Sequence, residues 1–434
     1  MTEAVIANEQ GFISRSLWNA TANPSQDYPA LVGEQECDVA VIGGGFAGLS
    51  AALHLAEAGV SVCLLEAETP GWGASGRNGG QVVPGLKEDP DEIERRFGSE
   101  LGGRMVRLSG NAGYFVFDLI ERLGIDCGAS RAGWIQPIHS EAARTTVRKR
   151  FDQWRRRDAA MRMLDREETA ALLGTDAYLG GMLDQRGGNL HPLNYALGLA
   201  EAAARAGARI HGHSRAERWE HEGGGVRIHT AKGQVRAGKV LVCTNGYADG
   251  FSGAIGRTVV PIRSIQVATE PLPAEIAGSI FPQGHSASDT RRLLHYFRKG
   301  PGDCFVMGGR GDYSQGGTEH QFEVLRKASV RLYPRLAEAR WVHHWGGYVA
   351  MTVSHYPQLL RMDDNVWAAC GFNGRGVAMA TALGKVIADA ARGVPEAELD
   401  FPVTQVKPIP FYFMRRYAVA AAVAWARLRD GLGR

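Results

Sequence analysis

Between residues 37 and 66 the chain passes through three short phases of different periodicity. Residues 39–42 (VAVI) form a continuous apolar run that ends in glycines. FAGLSAALHLAEAGV then sets Leu49, Ala52, Leu53, Leu55 and Ala56 at helical spacing, and Gly59 stops it. Residues 60–65 (VSVCLL) are a second apolar run, closed by Glu66. Strand, helix and strand predict a complete β-α-β unit, and such units imply a parallel sheet.

The same phases return later. Residues 193–206 predict a helix and 208–211 a strand. RWEHEGGGVRIHTAKGQVRAGKVLVCTNG alternates like two hairpin strands and ends in a buried strand at 240–243. VWAACGFNGRGVAMATALGKVIADA is again strand, glycine loop and helix. The intervening stretches differ. Residues 91–127 carry two amphipathic helical patterns, and 141–173 read as a charge-rich helical segment whose arginines form a solvated face. Within 257–345, TVVPIRSIQVATE, LLHYFRKG and CFVMGGRG alternate as strands of an antiparallel sheet. Residues 1–35 are polar and turn-rich, and are expected as an extended surface arm. From Pro408 onward the chain ends in a short helix, apolar in the middle and basic at both ends. Docking on the body is expected of it, with contact to a membrane surface as the alternative.

Composition narrows the function classes. At 434 residues, without a Ser/Gly linker, two interleaved domains are expected rather than two beads. A net charge of +3 makes no case for a nucleic-acid partner. No two of the six cysteines stand in C-x-x-C spacing, which points to reduced, buried thiols. His343 and His344 are adjacent and face opposite sides of a strand, so no metal site is expected. MTEAVIANEQ lacks the apolar core of a signal peptide, and no apolar run reaches the roughly eighteen residues of a membrane span, so the cytoplasm is the expected compartment. The 56 glycines, roughly 13% against about 7% in ordinary chains, gather in loops and suggest close backbone approach to a ligand.

Three of those loops carry chemistry. GGGFAG supplies Gly43-x-Gly45-x-x-Gly48 between strand and helix: a tight turn, a bare approach for a pyrophosphate, and close helix–strand packing. Glu66, at the end of the next strand, suits ribose hydroxyls and would repel a 2′-phosphate, which disfavours NADP. FAD and NAD both satisfy this unit. GASGRNGG, residues 73–80, adds Ser75 and Arg77 as donors to phosphate, and Asn78, Gly79 and Gly80 as bare backbone beside a flat ring. GFNGRG, residues 371–376, opens a second helix some three hundred residues from the first. Two glycine-paved helix N-termini suit a ligand with two polar ends, and FAD is such a ligand. An NAD dehydrogenase leaves the second and third loops without a joint explanation.

On these stretches, and on GNLHPLNYALGLAEAAARAGARI, VLVCTNGY and DTRRLLHYFR, the chain resembles the D-amino-acid oxidase-like flavoproteins, nearest the γ-glutamylputrescine oxidase group. The resemblance implies an α/β fold: an FAD-binding Rossmann-like domain of glutathione-reductase type, interleaved with an α+β substrate domain built on an antiparallel sheet. The FAD domain is expected from 36–90, 185–256 and 346–400, the substrate domain from 91–184 and 257–345, the arm from 1–35 and the tail from 401–434. The implied activity is oxidation of a C–N bond in an amine or amino acid, with hydride passing to flavin N5, hydrolysis of the imine, and O2 or a quinone as acceptor. A quinone-linked amino-acid dehydrogenase and a non-catalytic flavoprotein subunit are the alternatives. Some relatives hold FAD through a cysteine ahead of the third loop. Here Trp345-Gly346-Gly347-Tyr348 stands near that position, so non-covalent FAD is expected. The cofactor set is Gly43, Gly45, Phe46, Ala47, Gly48, Glu66, Ala67, Ser75, Gly76, Arg77, Asn78, Gly79, Gly80, Gln81, Ala216, Thr244, Asn245, Gly246, Gly371, Phe372, Asn373, Gly374, Gly376 and Val377. Tyr296, Arg298, Trp345 and Tyr348 are the candidates at the reacting centre. His191, before a proline at a helix start, is expected as a cap.

Overall fold

The apolar runs do become buried strands. In the computed structural model, which describes residues 15–248, 251, 253–311 and 315–431, β1 (Gly33–Ile42) leads into α1 (Phe46–Glu57) and β2 (Val62–Leu65). A long helix α2 (Pro90–Leu123) and helix α3 (Pro192–Arg205) precede β3 (Gly233–Val242). Then come β4 (Val260–Thr269), β5 (Tyr296–Lys299), β6 (Phe305–Arg310), β7 (Trp341–Met351) and β8 (Val366–Cys370). Helices α4 (Gly376–Ala391) and α5 (Arg415–Gly431) close the chain.

The first sheet has nine strands, and its centre runs β8-β3-β1-β2. All three of these pairings are parallel. Ile42 stands opposite Leu65 on one side and Val242 on the other, while Val242 stands opposite Ala368. The carboxyl ends therefore finish nearly level, and the loops that follow four strands leave the sheet at one edge. Ligands of open α/β sheets bind at such an edge. Helices α1 and α4 are drawn together by a small-residue contact: a Cβ on Gly384 would stand 2.5 Å from the Ala47 carbonyl oxygen, and Ser50 Oγ donates to Thr381 O at 2.7 Å.

The second sheet has eight strands, in the order β7-β4-β6-β5 and then Ser286–Ser288, Trp134–Pro137, Gly181–Asp184 and Met161–Leu164. It is antiparallel apart from the Ser286–Ser288 and Trp134–Pro137 pair. Two details differ from the sequence expectation. The helical reading of 141–173 is broken by Met161–Leu164, an edge strand whose Met161 and Leu164 are buried while Arg162 is exposed. Tertiary pairing with Gly181–Asp184 overrides local helical preference there. Helix α2 kinks at Gly98 (φ 80°), which divides it into the two expected pieces. However, Ile93, Met105 and Val106 share a core with Leu49 and Leu383 beneath the first sheet, so its packing lies with α1 and α4.

The arm also departs from expectation. Residues 1–14 lie outside the described residues, but Leu17, Trp18, Tyr28 and Leu31 are buried. Trp18 meets His191 and Trp345 edge-on at 5.1 and 5.8 Å, and its Nε1 donates to Asn78 O at 2.9 Å. A surface arm would not spend an indole this way, since burying one repays its ordering. The tail departs in the opposite sense: none of residues 411–426 is buried, so α5 is not docked into the body. Among the described residues no helix is long and apolar enough to cross a membrane.

Trp18→Ala should lower unfolding stability by about 3–5 kcal/mol, because a large buried ring leaves a cavity. Trp18→Phe should cost about 1 kcal/mol for the lost N–H bond alone. Urea unfolding of the two variants beside the parent chain measures both, and a Trp18→Phe variant as stable as the parent would show that the indole N–H is not what the arm contributes.

Candidate functional site

The level strand ends gather the three glycine loops at one edge of the sheet. Gly43 turns with φ +107°, and a Cβ there would stand 3.0 Å from the Cys243 carbonyl oxygen at the end of β3. A Cβ on Gly48 would stand 2.0 Å from Gly43 O, so the first turn of α1 sits on the loop as the spacing predicts. Gly45 faces Ser75, whose Oγ accepts from the Phe46 N–H at 3.0 Å. Ser75 thus ties the second loop to the head of α1. On the other side the Gly371 N–H donates to Asn245 Oδ1 at 2.9 Å, joining the loop after β3 to the loop after β8. Gly371 and Asn373 take positive φ, and Asn373 Oδ1 accepts from the Thr352 N–H at 2.9 Å.

Beyond β2, Glu66 accepts from the Gly44 N–H at 2.6 Å and the Glu68 N–H at 3.0 Å. Burial raises its carboxyl above the ordinary carboxylate range, and these two backbone bonds oppose the shift. Ala67 is half-buried beside it, and Ala216 is buried in the apolar cluster beneath Ile42 and Leu65.

These residues fit an elongated dinucleotide. Open space lies where Cβ atoms on Gly374 and Gly376 would stand, at the head of α4. Phe372 and Val377 are buried around that turn, and Gly246 packs near Tyr348 and Ala350. Thr244 Oγ1, where β3 meets the Gly43 turn, is buried without a hydrogen-bond partner among the described residues, as a donor awaiting a ligand oxygen would be.

The 73–80 loop is gripped from several directions. It opens with a short helix, Ala74–Arg77. The Arg77 carbonyl accepts from Trp345 Nε1 at 2.9 Å and from Gln266 Nε2. Asn78 folds back on Ala74 and Ser75, accepts from the Gly80 N–H at 2.8 Å, and offers its carbonyl to Trp18. Gly76 packs under Leu193, and Gln81 donates to Ala287 O at 2.8 Å. Arg77, expected as a phosphate donor, is buried instead. Its Nε donates to Trp72 O at 2.8 Å, its NH1 to Gly346 O at 3.4 Å, and its guanidinium stacks on Trp72 at 4.2 Å. Loop and second sheet are thereby locked together.

The four candidates at the reacting centre separate into two kinds. Trp345 and Arg298 are buried behind the loop. Arg298 donates to Asn189 Oδ1 at 2.7 Å and Gly80 O at 3.4 Å and lies over Trp18 at 5.0 Å. Burial pulls its pKa down to about 9, so it stays cationic at neutral pH, and no described carboxylate pairs with it. Tyr296 packs its ring against Gly79, where a Cβ would be 2.8 Å away, and shares a hydrogen bond with Ser264 Oγ at 2.8 Å. Its phenol is raised by burial and stays neutral. Tyr348 is half-buried, takes a bond from Arg263 NH2 at 3.1 Å, and donates its N–H to Tyr247 OH at 3.2 Å. Tyr247 meets Tyr348 edge-on at 5.8 Å and Trp72 at 6.0 Å, which makes an aromatic wall beside the loop. His191 caps α3, accepting from the Asn194 N–H at 3.1 Å, and burial lowers its pKa to about 4.

Sequence reasoning missed Trp18, Trp72, Asn189, Tyr247, Arg263 and Gln266. Trp72 and Tyr247 stand beside glycines already singled out, and proximity to those loops was the one available signal. Trp18 and Gln266 reach the loop from distant segments, while Asn189 and Arg263 act through Arg298 and Tyr348.

Residues 38–390 match the family described as FAD dependent oxidoreductase, DAO. The chain is 32% identical to the gamma-glutamylputrescine oxidoreductase of Escherichia coli (strain K12) over 428 residues, covering 96% of this chain and 98% of the relative. It is 34% identical to a probable oxidoreductase OrdL of Rhizobium meliloti (strain 1021) over 420 residues, covering 96% and 97%. The crystal structure of glycine oxidase from Geobacillus kaustophilus superposes with a TM-score of 0.68 at 22% identity, covering 82% of this chain and 95% of that one, which shows a shared fold.

A ligand hydroxyl that donates to Glu66 binds the carboxylate form, so binding is coupled to proton loss. The dissociation constant of FAD should rise as pH falls through the raised pKa of Glu66. Glu66→Gln should weaken binding about tenfold to a hundredfold and flatten that dependence. Titration of the apoprotein with FAD across pH measures it, and an unchanged slope in the variant removes Glu66 from the site.

Proposed function

The chain belongs to the FAD dependent oxidoreductase family, and from that premise we propose that it oxidises a C–N bond of a γ-glutamylated diamine or a related secondary amine. It is an oxidoreductase related to amine and amino-acid oxidases, and FAD is its cofactor. The observation that carries the finer reading is the wall of Trp72, Tyr247 and Tyr348 beside the 73–80 loop, an apolar face for an alkyl amine. The 32% identity to a gamma-glutamylputrescine oxidoreductase along nearly the whole chain supports it.

The holding residues are those at the strand ends. The head of α1, Ser75 and Thr244 would receive the pyrophosphate, Glu66 the ribose, and the heads of the 73–80 loop and α4 the ring. When bound, FAD accepts the hydrogen and electron pair that leave the substrate carbon. Chain residues do the rest. The aromatic wall orients the alkyl chain. Trp345, Gln266, Trp18 and Arg298 keep the loop backbone in one conformation. The buried cation of Arg298 favours negative charge in front of Gly79 and Gly80 and disfavours a protonated amine there, so the amine reacts neutral. The oxidised product is an imine, which water hydrolyses to a carbonyl compound and an amine. FAD is held without a covalent bond, since Cys370 is fully buried within β8 and shares a contact with Thr258. The six unbridged cysteines suit a reducing compartment, the cytoplasm. Oxygen is the proposed acceptor. A membrane quinone is the second reading, favoured by the exposure of α5.

In an anaerobic screen, γ-glutamylputrescine and secondary amines should bleach the flavin band at about 450 nm, with the rate falling at low pH as the amine is protonated. A chain that stays yellow with every amine is a binding subunit and not this enzyme. Separately, Arg298→Gln keeps hydrogen-bonding capacity toward Gly80 and Asn189 but removes the charge. It should lower the flavin midpoint potential by on the order of 30 mV, about 1.4 kcal/mol for a two-electron couple. Dye-equilibrated reduction reads this, and an unshifted potential would mean the cation is not felt at the ring.

A further inference from the structure

Ten large apolar side chains are strongly exposed among the described residues, and five of them fall between Phe411 and Trp425. Phe411, Phe413, Met414, Tyr417 and Trp425 are between 49% and 76% exposed. So dense a run on one short segment marks an interaction surface, whereas scattered single residues would not.

The segment leaves the body at two anchors. The Ile409 N–H donates to Arg257 O at 2.8 Å, and Tyr412 OH to Val259 O at 3.1 Å. Arg415 then lies over the Tyr412 ring at 4.3 Å. Within residues 415–426 of α5, the stripe Arg415, Val419, Val423 and Ala426 is half-covered, at helical spacing, and the other positions are exposed. The exposed positions include Tyr417, Ala421, Ala424 and Trp425, which the 3.6-residue repeat sets on one uncharged face.

Charge is concentrated in the same place. Residues 407–434 contain six Lys or Arg against one Asp, a net +5, so the preceding 406 residues carry −2 of the chain's +3. The tail is thus the chain's cationic pole. Aromatic side chains beside an alanine-rich apolar face, with arginines at both ends, match the chemistry of a bilayer headgroup region. At 17 residues α5 is about 25 Å long, and no described helix is apolar enough to cross, so the geometry is that of lying in the surface.

We propose that α5 is an interfacial anchor that lays its Tyr417–Trp425 face on an anionic lipid surface, with Phe411 and Phe413 inserting at its start and the arginines meeting headgroup phosphates. The body is thereby held at a membrane, where a lipid-soluble acceptor is within reach. The anchor does not depend on the identity of the amine, and failure of either reading leaves the other intact.

The test is flotation of the full-length FAD-loaded protein with vesicles of phosphatidylcholine alone or with about 30% phosphatidylglycerol, at low and high salt. Expected is binding about tenfold greater to the anionic vesicles, lost at high salt and reduced about tenfold by Tyr417→Ser with Trp425→Ser. Unchanged flavin absorbance per protein certifies that the variant is folded. Equal recovery with both vesicles, or none with either, overturns the proposal. So does light scattering in which the same double variant turns a dimer into a monomer, since the face would then join two copies of this chain.

Discussion

A glycine-rich segment loses more conformational freedom on being held still than any other, and residues 73–80 have to be held still. The rest of the site depends on how that is done. Buried donors converge on three carbonyls within four residues: Trp345 and Gln266 on Arg77, Trp18 on Asn78, Arg298 and the Leu190 N–H on Gly80. They come from the N-terminal arm, from the start of α3 and from three strands of the second sheet. Each is shielded from water, where a hydrogen bond left unmade is expensive. The loop is therefore rigid where a ligand ring would meet it, and the two sheets are clamped together by the same bonds.

Electrostatics follow from that burial. Arg298 is a cation in an apolar setting with aromatic and carbonyl neighbours, which is costly unless negative charge develops nearby. Glu66 is a half-buried carboxyl at the opposite end of the strand edge, supported by two backbone N–H groups. A positive end and a negative end, bridged by helix heads and open glycines, describe a mould for a dinucleotide whose ribose donates hydrogen bonds and whose ring gains charge on reduction.

The termini divide the labour in a way composition alone conceals. Both are polar-looking segments with aromatic residues. The arm spends its aromatics inward, so Trp18 becomes part of the loop's support. The tail turns its aromatics outward, on a helix with no buried side chain among residues 415–426. Two prolines, Pro408 and Pro410, stand between that helix and Val403–Gln405, the strand at the end of the first sheet.

Much of the fold was legible because its signals are local. Apolar runs of four, helical spacing behind Gly45, and glycines where φ turns positive each depend on a few neighbouring residues, and Gly43, Gly48, Glu66 and Gly371 could be placed from them. The edge strand Met161–Leu164 was misread because its state is decided by a partner twenty residues away. The roles of Trp18, Gln266 and Asn189 were not legible at all, and Arg298 could be singled out without its partners, since nothing near these residues in the chain says which group they will meet. Sequence by itself determined which backbone segments stay bare enough for a phosphate or a ring to approach. Tertiary structure alone decided which buried side chains hold those segments, because that choice is made by strand register and core packing between residues separated by tens to hundreds of positions.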